Sequence, residues 1–268
     1  MRNKIYLYLM AAAIGVMTVL TPAETMAAGR IATPREMIPK NSNTASYNMT
    51  VKSDIGERTY TIFAQRASGI SKKSFIWQHG CAVSSLTTVL SAHTVRYSQY
   101  TPEKTFRILE KKALGARIWN SNYHKSVKKQ RPLSLYGISR VLNYCRVKNR
   151  YVRRFRDKAA VAAIKNHLYK GKPVIIEVNN HTQKNGKFSS KYNKTWSLSK
   201  HTMVLIGMTD DDRVIVADSA TRPWSRQRQR VKLTRMESLV KFMIPCSGSS
   251  KSCYYTSYRY CGGYILVQ

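Results

Sequence analysis

Cys81 stands where a polar, aromatic stretch (Phe75, Trp77, Gln78, His79) gives way to the run Gly80-Cys81-Ala82-Val83-Ser84-Ser85-Leu86-Thr87-Thr88-Val89-Leu90. Ala82, Leu86, Val89 and Leu90 recur at offsets of four, three and one, the apolar stripe of an amphipathic helix. A cysteine in the first turn of such a helix lies in the positive end of its dipole, close to unpaired backbone N–H groups. Both favour thiolate over thiol, and the thiolate is the nucleophilic form. The competing reading is a small buried hydrophobe, the ordinary station of a free cysteine.

A thiolate nucleophile needs a base and a group that orients the base. Both candidates lie more than a hundred residues downstream. Gly171-Lys172-Pro173 leads into an apolar strand ending at Val178, and His201 opens a second, Thr202 to Met208. Asp210-Asp211-Asp212 has turn chemistry, and Val214-Ile215-Val216-Ala217 returns as a third strand ending in Asp218. A two- or four-residue loop centred on Asp210-Asp211 sets His201 opposite Ala220, with Asp218 its diagonal neighbour on one face. A three-residue loop would slip the register by one and turn Asp218 to the other face. The favoured register predicts a carboxylate holding one imidazole nitrogen while the other points outward.

The ordered set Gly80-Cys81-Ala82-Val83-Ser84-Ser85-Leu86, Gly171-Lys172-Pro173-Val174-Ile175, His201 with Met203 to Gly207, Asp210 to Asp212, and Ala217-Asp218-Ser219 resembles the C39-like type of papain-like cysteine peptidases. The resemblance spans residues about 75 to 220. It implies an α+β papain-like fold, with Cys81 at the N-terminus of a central helix packed on an antiparallel sheet carrying His201 and Asp218. Many members have Gly-Pro directly after the cysteine, where this chain has Ala82-Val83. The family's oxyanion glutamine usually lies several residues upstream. Gln78 is the nearest, three residues before Cys81, and the Cys81 backbone N–H is a donor that needs no such match.

The N-terminus reads as an export signal: Arg2 and Lys4, an apolar stretch from Ile5 to Leu20, then Thr25-Met26-Ala27. The stretch is short for a span of about twenty residues, so cleavage after Ala27 is expected, with uncleaved anchoring as the alternative. No later run is long and apolar enough to cross a membrane. Residues 28–45, polar with Pro34 and Pro39, read as a linker or pro-segment, and 46–268 as the catalytic domain. Export makes disulfides available to Cys145, Cys246, Cys253 and Cys261 and leaves Cys81 as the odd thiol, though Cys145 can equally stay reduced in its helix. The last three lie in a Tyr-rich C-terminal extension, and no histidine stands near them to complete a metal site.

Charge is the other strong signal: 46 Lys plus Arg against 13 Asp plus Glu, a net +33. Two basic rows alternate with other residues, Arg146 to Arg156 and Arg226 to Leu233, and alternation puts each row on one strand face. Such rows suit anionic cell-surface polymers or lipid headgroups. Neither zinc-finger spacing, an RNP-like motif nor a helix-turn-helix is present, so sequence-specific nucleic-acid reading is not expected.

The remaining elements predicted are a hairpin around Ser53 to Glu57, helices starting at Thr101-Pro102, over Leu133–Cys145 and over Asp157–Tyr169, and a short one within Arg235–Phe242. A basic loop is expected over 116–131, a long polar loop over Asn179–Lys200, and a final strand at Gly263–Val267. His79, two residues from Cys81, and His181, without an acid-tipped return strand, are weaker bases than His201. His93, His124 and His167 have structural or exposed contexts. Trp77, Trp196 and Trp224 suit cleft walls or, by default, core packing.

The expected function is a secreted cysteine peptidase cleaving peptide bonds through Cys81, His201 and Asp218, with a peptide or protein substrate and no metal or organic cofactor. The alternatives are a non-enzymatic basic surface protein coating an anionic polymer, and a peptidoglycan amidase, endopeptidase or acyltransferase using the same Cys–His chemistry.

Overall fold

The computed structural model describes residues 30–66, 70–72, 74–93, 95–111, 133–179, 181–184, 187–192, 196, 201–220, 229–243 and 262–268. The expected export signal, the expected basic loop of 116–131, Cys246, Cys253, Cys261, His124 and Trp224 lie outside these residues. The unit from Ile31 to Gln268 carries everything below.

Chain order in this unit is β1 (Ser46–Ser53), β2 (Gly56–Phe63), α1 (Phe75–His79), α2 (Cys81–His93), α3 (Pro102–Leu109), α4 (Leu135–Tyr144) and β3 (Asn149–Val152). It continues with α5 (Asp157–Tyr169), β4 (Val174–Val178), β5 (His181–Lys184), β6 (Lys187–Tyr192), β7 (His201–Met208), β8 (Val214–Ala217), β9 (Val231–Thr234), α6 (Met236–Leu239) and β10 (Tyr264–Val267). Among the described residues, the main sheet runs β3-β10-β4-β7-β8-β9 with every pair antiparallel. Mixed helix and antiparallel sheet is therefore the class.

Alternation along the strands divides the core into two layers. Ile175, Val204, Ile206, Ile215, Ile265 and Val267 face α2, α4 and the β1–β2 hairpin. Val174, Ile176, Met203, Leu205, Val214 and Val216 face α5 and α6. With both faces covered, β4, β7, β8 and β10 are buried at every position, and their sequences read as continuous apolar runs. Leu86 and Leu90, both fully buried on α2, anchor the first layer, and truncating either to Ala would cost about 2–5 kcal/mol.

The helix starts have the expected chemistry. Ser134 Oγ accepts from Gly137 N at 3.0 Å, and Thr101 caps a helix with Pro102 in its first turn. That helix, α3, ends at Leu109, before Gly115. The long polar loop expected over Asn179–Lys200 instead contains the β5–β6 hairpin, whose backbones pair although alternation is weak in its polar sequence. The stretch after Arg30 is strapped to the domain: Thr33 N donates to Met208 O at 3.0 Å and Ser42 N to Gln229 Oε1 at 2.7 Å.

The two basic rows part company. Arg146, Lys148, Arg150, Arg154 and Arg156 are exposed, on or beside the edge strand β3. The described part of the second row is turned inward instead. Arg230 is 2% exposed and the Lys232 side chain 11%. Both turn toward one buried residue, Asp218: Lys232 to its carboxylate and Arg230 to its main-chain carbonyl.

Candidate active site

Cys81 is the first residue of α2, half-buried and free of any disulfide. The preceding helix, α1, is capped by Ser74, whose Oγ accepts from Trp77 N at 3.1 Å, and it ends on Gly80. The Gly80 N–H donates to Ile76 O at 2.9 Å. A β-carbon at residue 80 would lie 2.3 Å from that oxygen, so only glycine lets the chain pass from α1 into α2 this tightly.

His201 begins β7 and Asp218 follows β8, but the turn between these strands is not the two- or four-residue loop expected. Thr209 N donates to Arg213 O at 2.8 Å, enclosing three residues. Thr209 Oγ1 accepts from Arg213 N at 3.0 Å and donates to Asp211 Oδ1 at 2.6 Å, while Asp212 takes a left-handed φ of 59°. Alone, this turn would put Asp218 on the wrong face. A bulge between Leu205 and Gly207 shifts the register back, so that Val204 pairs with Ala217. Continued, that register sets His201 opposite Ala220, with Asp218 diagonal to it.

The side chains meet accordingly. His201 Nε2 bonds Asp218 Oδ1 at 2.7 Å. With Nε2 so committed, the hydrogen bond between imidazole and the Cys81 thiol falls to Nδ1. Asp218, fully buried, accepts on Oδ1 from Ala220 N as well, at 2.8 Å, and on Oδ2 from Lys232 Nζ. Arg230 braces the same residue through the main chain: its Nη1 donates to Asp218 O at 3.0 Å and its carbonyl accepts from Asp218 N at 2.8 Å.

Electrostatics follow from these contacts. Burial alone would raise the Cys81 thiol, but the hydrogen bond and charge of His201, with hydrogen bonds from Thr202, hold it below its usual value. Burial alone would lower His201, but the charge and hydrogen bond of Asp218, and then Cys81, raise it to about 9. For Asp218 burial is overcome by Lys232 and His201, which hold its carboxyl well below the usual carboxylate range. The pairing thus favours imidazolium at His201 and thiolate at Cys81.

The other sequence candidates stand apart. Gln78 is exposed, and its amide donates to Lys72 O at 3.4 Å. Gln65, which the sequence reading passed over, is buried and ties two segments of the site together. Its backbone N–H donates to Ser219 O at 2.9 Å and its Nε2 to Trp77 O at 3.2 Å. Its only sequence signal is a position two residues after β2, a strand whose second half alternates with buried positions. His93, at the far end of α2, bonds Arg58 at 3.3 Å, and His167 bonds Val267 O at 2.7 Å. The side chains of His79 and His181 lie outside the described residues. Trp196 is buried, against Lys232.

The family model for peptidase C39-like proteins matches residues 57–242, from β2 to the end of the segment after α6. The chain belongs to the peptidase C39-like family. Membership in the C39-like family points to peptidase-type hydrolysis of a protein substrate. No curated protein matches the chain. Among the described residues, no helix is long and apolar enough to cross a membrane.

Proposed function

We propose that this C39-like protein is a secreted cysteine peptidase of papain-like architecture, with Cys81 as nucleophile, His201 as acid and base, and Asp218 as the residue that orients the imidazole. The observation that supports it most is the unbroken chain from Asp218 through His201 to Cys81, joined across the β7–β8 ladder and the start of α2.

In this mechanism the Cys81 thiolate attacks the peptide carbonyl carbon, and the C–S bond forms as the carbonyl π electrons move to oxygen. Collapse of the oxyanion breaks the C–N bond as His201 Nδ1 gives its proton to the leaving amine, leaving a thioester. Water then attacks the thioester carbonyl while the neutral imidazole takes its proton. The C–S bond breaks, and the thiolate–imidazolium pair is restored. The Cys81 N–H, in the first turn of α2, is one oxyanion donor. For the side-chain donor we assign Gln65 in place of Gln78, because Gln65 is buried and held by both segments of the site, and one N–H of its amide remains beyond the bond to Trp77 O.

Replacing Cys81 by Ala, with casein and a peptide library as substrates, is the decisive experiment. Turnover should vanish while the circular dichroism spectrum and melting temperature stay near those of the parent. Undiminished hydrolysis would overturn the assignment. Export is tested by sequencing the N-terminus of the protein recovered outside the producing cell, expected at Ala28.

A further inference from the structure

Lys232 sits on β9 opposite Val216 of β8, in the second basic row, which its alternation assigned to one strand face suited to an anionic partner. Its ammonium instead bonds Asp218 Oδ2 and lies 5.9 Å from the centre of the Trp196 ring. Asp218 therefore has a cationic partner on each oxygen, although one would suffice to pair its charge. The proposed cycle gives the second cation a purpose. After His201 passes its proton to the leaving amine, the imidazole is neutral, and a fully buried carboxylate facing it would be an unpaired charge. Without another cation, that cost would bind the proton to His201 and make it a poor acid.

We infer that Lys232 is a positioning residue of the site, keeping the Asp218 carboxylate ionised and aligned while His201 is neutral so that the imidazole can release its proton. The inference rests on the peptidase reading of the site. The neighbouring charges among the described residues are named element by element. Cys81 comes from α2, and Glu177 on β4 pairs in the ladder with Thr202, next to His201. Arg230, just before β9, directs its Nη1 to the Asp218 carbonyl and not to the carboxylate. Among the described residues, Lys232 is thus the cation hydrogen-bonded to the carboxylate besides His201.

The test is the titration of the His201 imidazole, followed by NMR in the full chain carrying Cys81→Ala, alone and combined with Lys232→Met, Lys232→Gln or Lys232→Arg. Both neutral replacements should raise the His201 midpoint by about one unit, the usual scale for loss of a nearby charge. Lys232→Arg should bring it back to within a few tenths of the Lys232 value. Circular dichroism identifies any variant that fails to fold, and the two neutral side chains back each other up. An unchanged midpoint in a folded neutral variant, or one that Arg does not restore, overturns the inference. Iodoacetamide labelling of Cys81 in the parent protein runs beside it. Labelling that appears only near pH 8.5 would sink the ion pair and leave the Lys232 result readable by itself.

Discussion

Ser85 Oγ donates to Thr202 O at 3.0 Å, a buried bond between residues 117 apart in the chain. Ser85 lies one helical turn after Cys81 and Thr202 lies next to His201, so this bond fixes the start of α2 against the start of β7. Thr202 also helps to hold the Cys81 thiol below its usual value. Spacing of nucleophile and base therefore rests on a contact one layer behind the reacting atoms. Ser85→Ala should cost about 1 kcal/mol of stability, the loss of one buried hydrogen bond. It should lower kcat/KM more than about tenfold, because small misplacements of reacting groups are expensive. Urea unfolding and peptide hydrolysis on the same preparation check both numbers, and a variant with full activity would show that the bond has no positioning role.

The pH dependence follows from the directions of the two shifts. A lowered Cys81 supplies thiolate below the usual thiol range, and a raised His201 keeps its proton up to about pH 9. Activity should therefore rise on a limb below the ordinary thiol value of about 8.5 and fall on a limb near pH 9, as the imidazolium that protonates the leaving amine is lost. Profiles of kcat/KM against pH measure both limbs. In Asp218→Asn, which cannot hold the charge, the alkaline limb should move down toward the ordinary histidine value of about 6.5.

His93 offers a stability test away from the site. Burial first, and then the charge of Arg58, lower it from 6.5 to about 4. Its unfolded form therefore binds a proton between these values while the folded form does not, so stability falls as the pH drops from about 6.5 to about 4. Residual exposure screens the effect, which should amount to about 1–2 kcal/mol. Plots of unfolding free energy against pH should be flatter by that amount in His93→Gln, and parallel curves would count against a buried neutral imidazole.

Much of this site was legible because each member marks the edge of an apolar element: Cys81 before a helical stripe, His201 at the head of one strand, Asp218 at the tail of the next. The register expected between the last two is the one found, but it is not set by the expected turn. Turn length alone leads to the wrong face, and the compensating bulge is marked in the sequence only by Gly207, whose added β-carbon would stand 3.2 Å from Val51. Lys232 was misread for a related reason. Alternation shows that a row of side chains shares one side of a strand, but says nothing of whether that side meets solvent or a buried carboxylate. The β5–β6 hairpin escaped notice because its pairing is carried by backbone groups in a polar sequence.

The two glutamines provide the sharpest contrast between proximity in sequence and proximity in the fold. Gln78 is three residues from Cys81, yet it is exposed and directs its amide to Lys72 O. Gln65 is sixteen positions away but bonds both the residue after Asp218 and the α1 carbonyl of Trp77. If its remaining amide proton meets the developing oxyanion, Gln65→Ala should lower kcat by about 10²–10³ with KM little changed, the usual cost of one such donor. Gln78→Ala should stay within about twofold of the parent, since an exposed bond of this kind contributes little to the transition state. Thiolate formation does not need the oxyanion donor, so iodoacetamide should alkylate Cys81 in Gln65→Ala at nearly the parental rate. Slow hydrolysis with fast alkylation is the signature of a lost oxyanion contact, whereas a parallel fall in both would mean that Gln65 only braces α1.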